Sequence, residues 1–343
     1  MAGSITLGGN IIATHTGIEG AGEVSLTNVS LGGGAFMFRN KIINGDMRID
    51  QRNAGSSVGP FASASAGYKG VDRWFIASDA MTSQRITGNA PTDFSNYLKL
   101  TKGSGSNIDI RQTVELPAAG QAGQFGVGSV WTLSFYAKSV AGSETLNFNT
   151  YFRSGVATGT ATAVSAPTPS SITLTTNWAR YTVLFTIDAS PGSNDLCIAF
   201  GLNTTATELH LTGVQLEEGT AVTPFEHRPI SVELSLAQRY FTKSHNSELV
   251  AGSSATGGGA INVFVPSTGT GYFGVYVPFP VEMRNDPTIT LFDSVNASGK
   301  VYKGGDGKSQ YIFRKGLRGF SGGTQDGTFT NELFFTYTAA DEL

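Results

Sequence analysis

Paired acids are the first chemistry to weigh in this chain, because two carboxyl groups held at the right separation divide the acid and base roles of glycoside hydrolysis. Asp46, Asp50, Asp72, Asp79, Glu217 and Glu218 provide the candidates. Glu217 and Glu218 are followed at once by Gly219, so this pair reads as a solvated turn at a strand end. His15, His210, His227 and His245 each stand away from a second histidine or a cysteine at ligand spacing, and no metal site is expected. His210 falls in the middle of a strand-like run and is expected to be structural. Cys197, the single cysteine, lies in the apolar run Leu196–Phe200, where it packs as a small hydrophobe and excludes an intrachain disulfide. The glycine runs 32–34 and 257–259 have no lysine or helix start behind them, so they do not cradle phosphate. The expectation is a protein that is not an enzyme and uses no cofactor.

Aromatic rings offer a different chemistry, stacking on an apolar ligand face. Trp74, Trp131 and Trp178 are expected in the core, since Trp131 and Trp178 fall in phase with other apolar strand residues. Tyr68 is a further aromatic candidate, and Tyr272, Tyr302 and Tyr311 sit near turns as contact candidates. Charged residues make up only 14 % of the chain and the net charge is −3. That balance supplies no basic footprint for nucleic acid or an anionic membrane, and it suits a protein that hides surface in an assembly. No apolar run reaches the roughly 18 residues of a membrane span. The start, Met1–Gly9, lacks the basic residues and apolar stretch of a secretion signal, so synthesis in the cytoplasm is expected.

Glycine, at 44 of 343 residues, punctuates many short alternating runs, which predicts an all-β chain of strands and tight turns. Residues 1–39 hold few charges and too little apolar surface for a core, so they read as an extended segment that adds strands to a neighbour. Residues 40–228 predict a jelly-roll β-sandwich. Its strands are expected at Lys41–Ile43, Asp72–Ala77, Tyr97–Lys102, Ile108–Glu115, Val130–Lys138, Leu146–Arg153, Trp178–Thr186, Leu196–Gly201 and Glu208–Leu216. Thr158–Ser171 is expected to be a long surface loop. Residues 244–343 predict a smaller C-terminal β-sandwich, with strands at Ala260–Val265, Gly271–Phe279, Pro287–Phe292, Tyr311–Arg314 and Leu333–Thr338.

A short helix is expected to join the two, within residues 229–243. Pro224 and Pro229 keep the approach extended, Ser231 is the expected N-cap, and about three turns follow. The apolar positions Val232, Leu234, Leu236, Ala237, Tyr240 and Phe241 form two edges. A helix this short needs a partner surface, and contact with copies of itself around an axis is the expectation.

Taken in order, several segments resemble bacteriophage tail-fibre and virion appendage proteins. They are Asn40–Asn53, Tyr68–Trp74, Trp131–Lys138, Asn177–Tyr181, Val214–Gly219, Pro224–Pro229, Ala237–Phe241, Pro280–Thr288 and Tyr337–Leu343. Leu7–His15 is similar to the openings of phage fibre proteins. Residues 40–228 also resemble carbohydrate-binding jelly rolls of glycan-degrading enzymes. In those modules acids on the last strand hold a structural calcium, whereas Thr212 and Gly213 stand in that stretch here.

The resemblance implies a tail fibre of the virion that adheres to a host surface glycan or receptor. Residues 1–39 would attach to other virion proteins, and the chain would form a homotrimer with neither nucleic-acid binding nor membrane insertion. A head fibre or capsid decoration protein, and a glycan-binding module of a polysaccharide-degrading enzyme, are the alternatives. Receptor contact is expected at the C-terminal loops 293–300 and 304–309, through Tyr272, Asp293, Asn296, Lys300, Tyr302 and Tyr311.

Overall fold

The computed structural model describes residues 3–7, 10–15, 38–61, 67–77, 80–103, 108–116, 125–153, 162–189, 195–202, 208–253, 258–264, 273–295, 297–303, 306–325 and 332–342. The chain divides into two units, Met1–Met37 and Phe38–Leu343. In the first, β1 (Gly3–Leu7) pairs antiparallel with β2 (Asn10–His15), so these two strands of the N-terminal segment pair with each other.

The second unit begins with β3 (Phe75–Ile76), β4 (Met81–Thr87), β5 (Asn96–Lys102), β6 (Ile108–Val114), β7 (Val130–Ser139) and β8 (Thr145–Arg153). It continues with β9 (Thr162–Ala163), β10 (Ser171–Thr173), β11 (Ala179–Thr186), β12 (Asp195–Leu202) and β13 (Glu208–Glu218). One sheet has the order β10-β8-β12-β6-β3, with β9 also on β8, and the other the order β11-β7-β13-β5-β4. The chain crosses repeatedly between the two, which makes this a jelly-roll sandwich. Alternation explains its core. Trp131, Leu133 and Phe135 of β7 and Leu146, Phe148 and Phe152 of β8 turn inward and are buried with Phe200 and Leu216.

Three expectations about these strands are corrected. Lys41–Ile43 is not a strand: Ile42 N–H donates to Asn40 Oδ1 and Ile43 N–H to Gln112 Oε1, so side chains take the place of a ladder. Asp72 and Arg73 precede rather than join β3, because Arg73 sits at φ 74° in a turn. Residues 162–163 and 171 of the expected loop lie in β9 and β10. In β13 the register shifts between Thr212 and Gln215 around Gly213 (φ 61°). This bulge moves the inward set from Leu209 and Leu211 to Val214 and Leu216. A Cβ at Gly45 would stand 2.1 Å from Val214 O, so only glycine lets this segment lie against the bulge.

Helix α1 (Ile230–Gln238) is nine residues long, shorter than expected. Pro229 takes the cap position with ψ 141°, Ser231 lies inside the helix, and no side chain caps it. After it come β14 (Phe241–Lys243), β15 (Ile261–Phe264), β16 (Phe273–Pro278), β17 (Thr288–Phe292), β18 (Lys300–Lys303), β19 (Asp306–Ser309), β20 (Tyr311–Gly316), β21 (Gly319–Thr324) and β22 (Glu332–Ala340). β22 organises this region, pairing with β14, β15, β17 and β18, while β16, β21 and β20 form a separate three-stranded sheet. Leu291, Phe320, Leu333, Phe335 and Tyr337 fill a second core between them.

A buried polar chain ties these parts together. Arg228 Nη1 donates to Ile42 O (3.2 Å) and to Glu233 Oε2 (3.1 Å), and Nη2 to Asn40 O. Glu233 in turn accepts from Asn44 N–H. The Asn44 side chain donates to Ile49 O (2.7 Å) and Asp72 O (2.9 Å), and the Asn44 backbone carbonyl accepts from Trp74 Nε1. Gln51 Nε2 bridges the Asp72 carboxylate and Phe241 O (2.9 Å). Arg52 and Arg73 each reach Glu342 at 2.6 Å. The Arg52 guanidinium lies 3.7 Å from the Phe241 ring centre and that of Arg73 3.5 Å from the Tyr240 ring.

The helix expectation is therefore corrected in part. Ala237, Tyr240 and Phe241 are buried within their own chain, since these cations and Glu115 claim the rings, and they do not face a neighbouring copy. Val232, Leu234 and Leu236 remain half-buried.

Two outcomes follow from this chain of contacts. Arg228→Met should cost about 3–5 kcal/mol in urea unfolding, because it leaves the buried Glu233 carboxylate unpaired. Adding Glu233→Gln should recover at least about 1 kcal/mol of that loss. Burial, opposed by the Arg52 charge, pushes the Asp72 carboxyl up to about 6. The native chain then holds this proton more tightly than the unfolded one, whose carboxyl titrates near about 3.9. The resulting stability is present below about pH 4 and is lost as pH rises to about 6. Asp72→Asn should thus gain on the wild type by about 3 kcal/mol between pH 4 and pH 7, and a difference that ignores pH would count against it.

Candidate functional site

On the outer face of the first sheet, three neighbouring strands set their outward residues in register. Gly201 of β12 stands between Asp109 of β6 and Asn147 of β8. Ala199 stands between Arg111 and Asn149, and Cys197 between Thr113 and Tyr151. The central strand therefore carries almost no side-chain bulk where its neighbours carry long polar groups. A trough of about 360 Å³ results, floored by Ala199 and Gly201 and walled by Asp109, Arg111, Asn147, Asn149 and Tyr151. Alternation makes this possible, since the same strands turn Ile108, Ile110, Phe148, Phe152, Ile198 and Phe200 into the core.

The walls are electrostatically paired. Arg111 donates from Nε to Asp109 Oδ1 (2.9 Å) and from Nη2 to Oδ2 (2.6 Å), a fork that holds both groups in one plane. The Arg153 guanidinium lies 5.1 Å from the Tyr151 ring centre. Burial and the adjacent Cys197 push the Tyr151 phenol above its ordinary range, so it stays a neutral hydroxyl. Burial likewise raises the Cys197 thiol, which bears out its reading as an inert packed group. Planar amide, carboxylate and guanidinium groups around an open trough can exchange paired hydrogen bonds with vicinal hydroxyls, and the Tyr151 ring adds an apolar surface. Asp109 is the one acid lining this trough among the described residues, so the second carboxyl that glycoside hydrolysis requires is missing from it.

Four of the six acids singled out from sequence are engaged elsewhere, while Glu218 is exposed; Glu217 is buried at 3 % exposure rather than part of a solvated turn. Asp50 accepts from Asn53 and Gly55 N–H and Asp72 from Gln51. Glu217 accepts from Gln215 (2.7 Å) and pairs with Arg39 (3.1 Å), and Asp46 pairs with Arg48. Asp79 lies outside the described residues. Among the described residues no group of three His, Cys, Asp or Glu could hold a metal.

The expected receptor residues that the structure describes fall on different elements. Asp293 is 2 % exposed, and its carboxylate accepts from Val295 and Ala297 N–H, which makes it a turn former. Lys300 and Tyr302 belong to strand β18 and not to a loop. Tyr311 lies in β20, in the other sheet, edge-on to Phe313 at 4.9 Å. Tyr272 and Asn296 lie outside the described residues.

Trp178 is a further correction. Tyr181, Val183 and Phe185 point toward the core, whereas Trp178 has the opposite parity and is half-buried. It packs on Tyr97 and His210 beneath Lys138, with its Nε1 donating to Asn89 O. His210 stacks on Tyr97 at 4.8 Å and bonds Glu208, in keeping with a structural histidine.

No protein-family model matches this sequence, and no curated protein matches it. Solved structures show distant likenesses. The enzymatically active domain of tailspike protein 4 from bacteriophage CBA120 is 17 % identical with a TM-score of 0.36, covering 53 % of this chain and 22 % of that one. This chain thus spans about a fifth of the tailspike domain's length. The CBM22-1 xylan-binding domain of Paenibacillus barcinonensis Xyn10C is 18 % identical with a TM-score of 0.30, covering 50 % of this chain and 99 % of that one. A CBM61 module in complex with β-1,4-galactotriose is 12 % identical with a TM-score of 0.32, covering 53 % and 99 %. With scores this low, the sandwich architecture rests on the strand order itself.

Proposed function

We propose that this chain binds a saccharide, without cleaving it, in the trough across β8, β12 and β6, as part of a phage tail fibre. The observation that carries the saccharide reading is the small-residue floor of Ala199 and Gly201 between two polar walls, with Tyr151 at one end. Such a trough is open along the sheet, so it suits one stretch of a chain-like glycan rather than an enclosed small molecule. The tail-fibre part is supported by the ordered segments from Asn40 to Leu343, many of which meet in the buried polar chain. Weak sites repeated on a symmetric fibre would add through effective concentration, so one shallow trough per chain suffices. Attachment of residues 1–39 to other virion proteins belongs to the same proposal.

A homotrimer is part of it too. Val232 and Leu236 border a shallow groove with Phe38 and Val281, and Phe38 is 48 % exposed. Another copy covering this face would remove that apolar surface from water.

Gly201→Ile tests the trough directly. Among the described residues a Cβ at this position meets only Ile108 O, at 3.8 Å, so the branched side chain fits the strand and fills the trough. In affinity electrophoresis through gels containing purified bacterial surface polysaccharide, the wild type should be retarded. The variant should lose at least about tenfold in affinity, with a melting temperature within about 4 °C of wild type. Equal retardation of both proteins, or of neither, would sink the reading. For the assembly, sedimentation at micromolar concentration should show a trimer, and a stable monomer would remove that part.

A further inference from the structure

We infer a second binding site, on the outer face of the three-stranded sheet, that takes an acidic saccharide through its carboxylate and one sugar face. Tyr276 of β16 and Arg314 of β20 both stand opposite Ser321 of β21, so the three side chains form a row across the sheet. Directly paired residues share a face, with Cβ atoms about 5 Å apart. The core side of the same sheet is taken by Val275, Val277 and Phe320, which leaves the row facing outward. It opens on a concavity of about 460 Å³ that Lys315 and Arg318 also line.

The ring is held in place from below. A Cβ at Gly319 would lie 2.7 Å from Tyr276 Oη and 2.8 Å from its Cζ, so the tyrosine rests across a glycine that leaves it room. Its hydroxyl donates to Arg318 O at 3.4 Å, and the residue is still 58 % exposed. A large ring held by its rim and left open to water is a platform rather than a core residue.

The charge around it is uneven. Arg318 meets Glu282 at 3.0 Å and Lys315 meets Asp286 at 3.1 Å. Among the described residues the Arg314 guanidinium has no ion-pair partner, and it stands in the same row as the ring with one strand between them. In a chain of net charge −3, the three cations at this concavity meet two carboxylates among the described residues, Glu282 and Asp286, which leaves the charge of Arg314 in excess. Guanidinium matches a planar carboxylate in paired hydrogen bonds, and the C–H face of a pyranose covers an aromatic ring. A uronic or sialic acid unit satisfies both together. Nucleic acid would need cations continued along several phosphates, and here they end with the β20–β21 turn.

This site is independent of the trough on the jelly roll, and its test separates the two. The full chain is titrated by biolayer interferometry with oligogalacturonate, hyaluronan oligosaccharide and oligosialic acid. The methyl ester of each, inorganic phosphate and a single-stranded oligothymidylate serve as comparisons. At least one acidic saccharide should bind, with affinity falling at least about tenfold on esterification and declining as salt is raised. Arg314→Ala and Tyr276→Ala should each lose about tenfold, Tyr276→Phe should keep the ring's contribution, and Gly201→Ile should bind as the wild type does. Both alanine positions are exposed, so unchanged melting temperatures confirm the fold. The inference is overturned if no acidic saccharide binds, or if esters bind equally. It is also overturned if phosphate or oligothymidylate binds as tightly, or if the alanine variants bind as the wild type does.

Discussion

Much of the larger unit is organised around one buried cation. Arg228 is 6 % exposed, and its guanidinium can remain there only because Glu233 and two backbone carbonyls replace the water it gave up. Those carbonyls belong to Asn40 and Ile42, so satisfying the charge fixes the start of the jelly roll against the segment that leads into α1. Glu233 passes the constraint to Asn44, and Asn44 to Asp72 and Trp74. At the far end Arg52 and Arg73 converge on Glu342, close to the C-terminus. Each group has its hydrogen bonds only if the next one is in place, a cooperative arrangement in which a partial version costs more than an apolar one.

That arrangement leaves part of the first sheet's outer face for other uses. Core packing claims one side of the long sandwich strands, and small residues outward on β12 turn the sheet between β6 and β8 into a trough. The same logic recurs in the C-terminal region on a smaller scale, where Gly319 gives Tyr276 the space to lie flat. In both places a residue with little or no side chain shapes the surface and its neighbours supply the chemistry.

Much of the all-β character was legible in the residues. The alternation of Trp131, Leu133 and Phe135 and of Val183 and Phe185 marked core strands that the structure bears out. β4, β9, β10, β14, β18, β19 and β21 were not anticipated. Several are very short or rich in glycine and polar residues, and β14 finds its partner only in β22, near the other end of the C-terminal region. Trp178 was misread because parity must be counted from the strand's own core residues. In β13 a count from Leu209 alone fails at Gly213, where the bulge adds a residue to one strand. The helix edges were visible, but the claim of Arg73 and Arg52 on Tyr240 and Phe241 joins residues more than 160 positions apart.

The sequence by itself settled the period of the long strands and the burial of Cys197 in an apolar run. These depend on neighbours a few residues away, where backbone geometry is local. Which faces meet, and therefore which polar groups come to line one trough, belonged to the tertiary structure. Asp109, Asn147 and Gly201 are unremarkable in their own segments and become a site only through the registers of β6 and β8 on β12. Asp293 and Lys300 looked exposed because polar residues near glycine usually are. Asp293 instead closes its own turn by accepting from Val295 and Ala297 N–H, and the pairing of β18 with the distant β22 made Lys300 a strand residue, since backbone groups removed from water must find partners wherever the fold brings them.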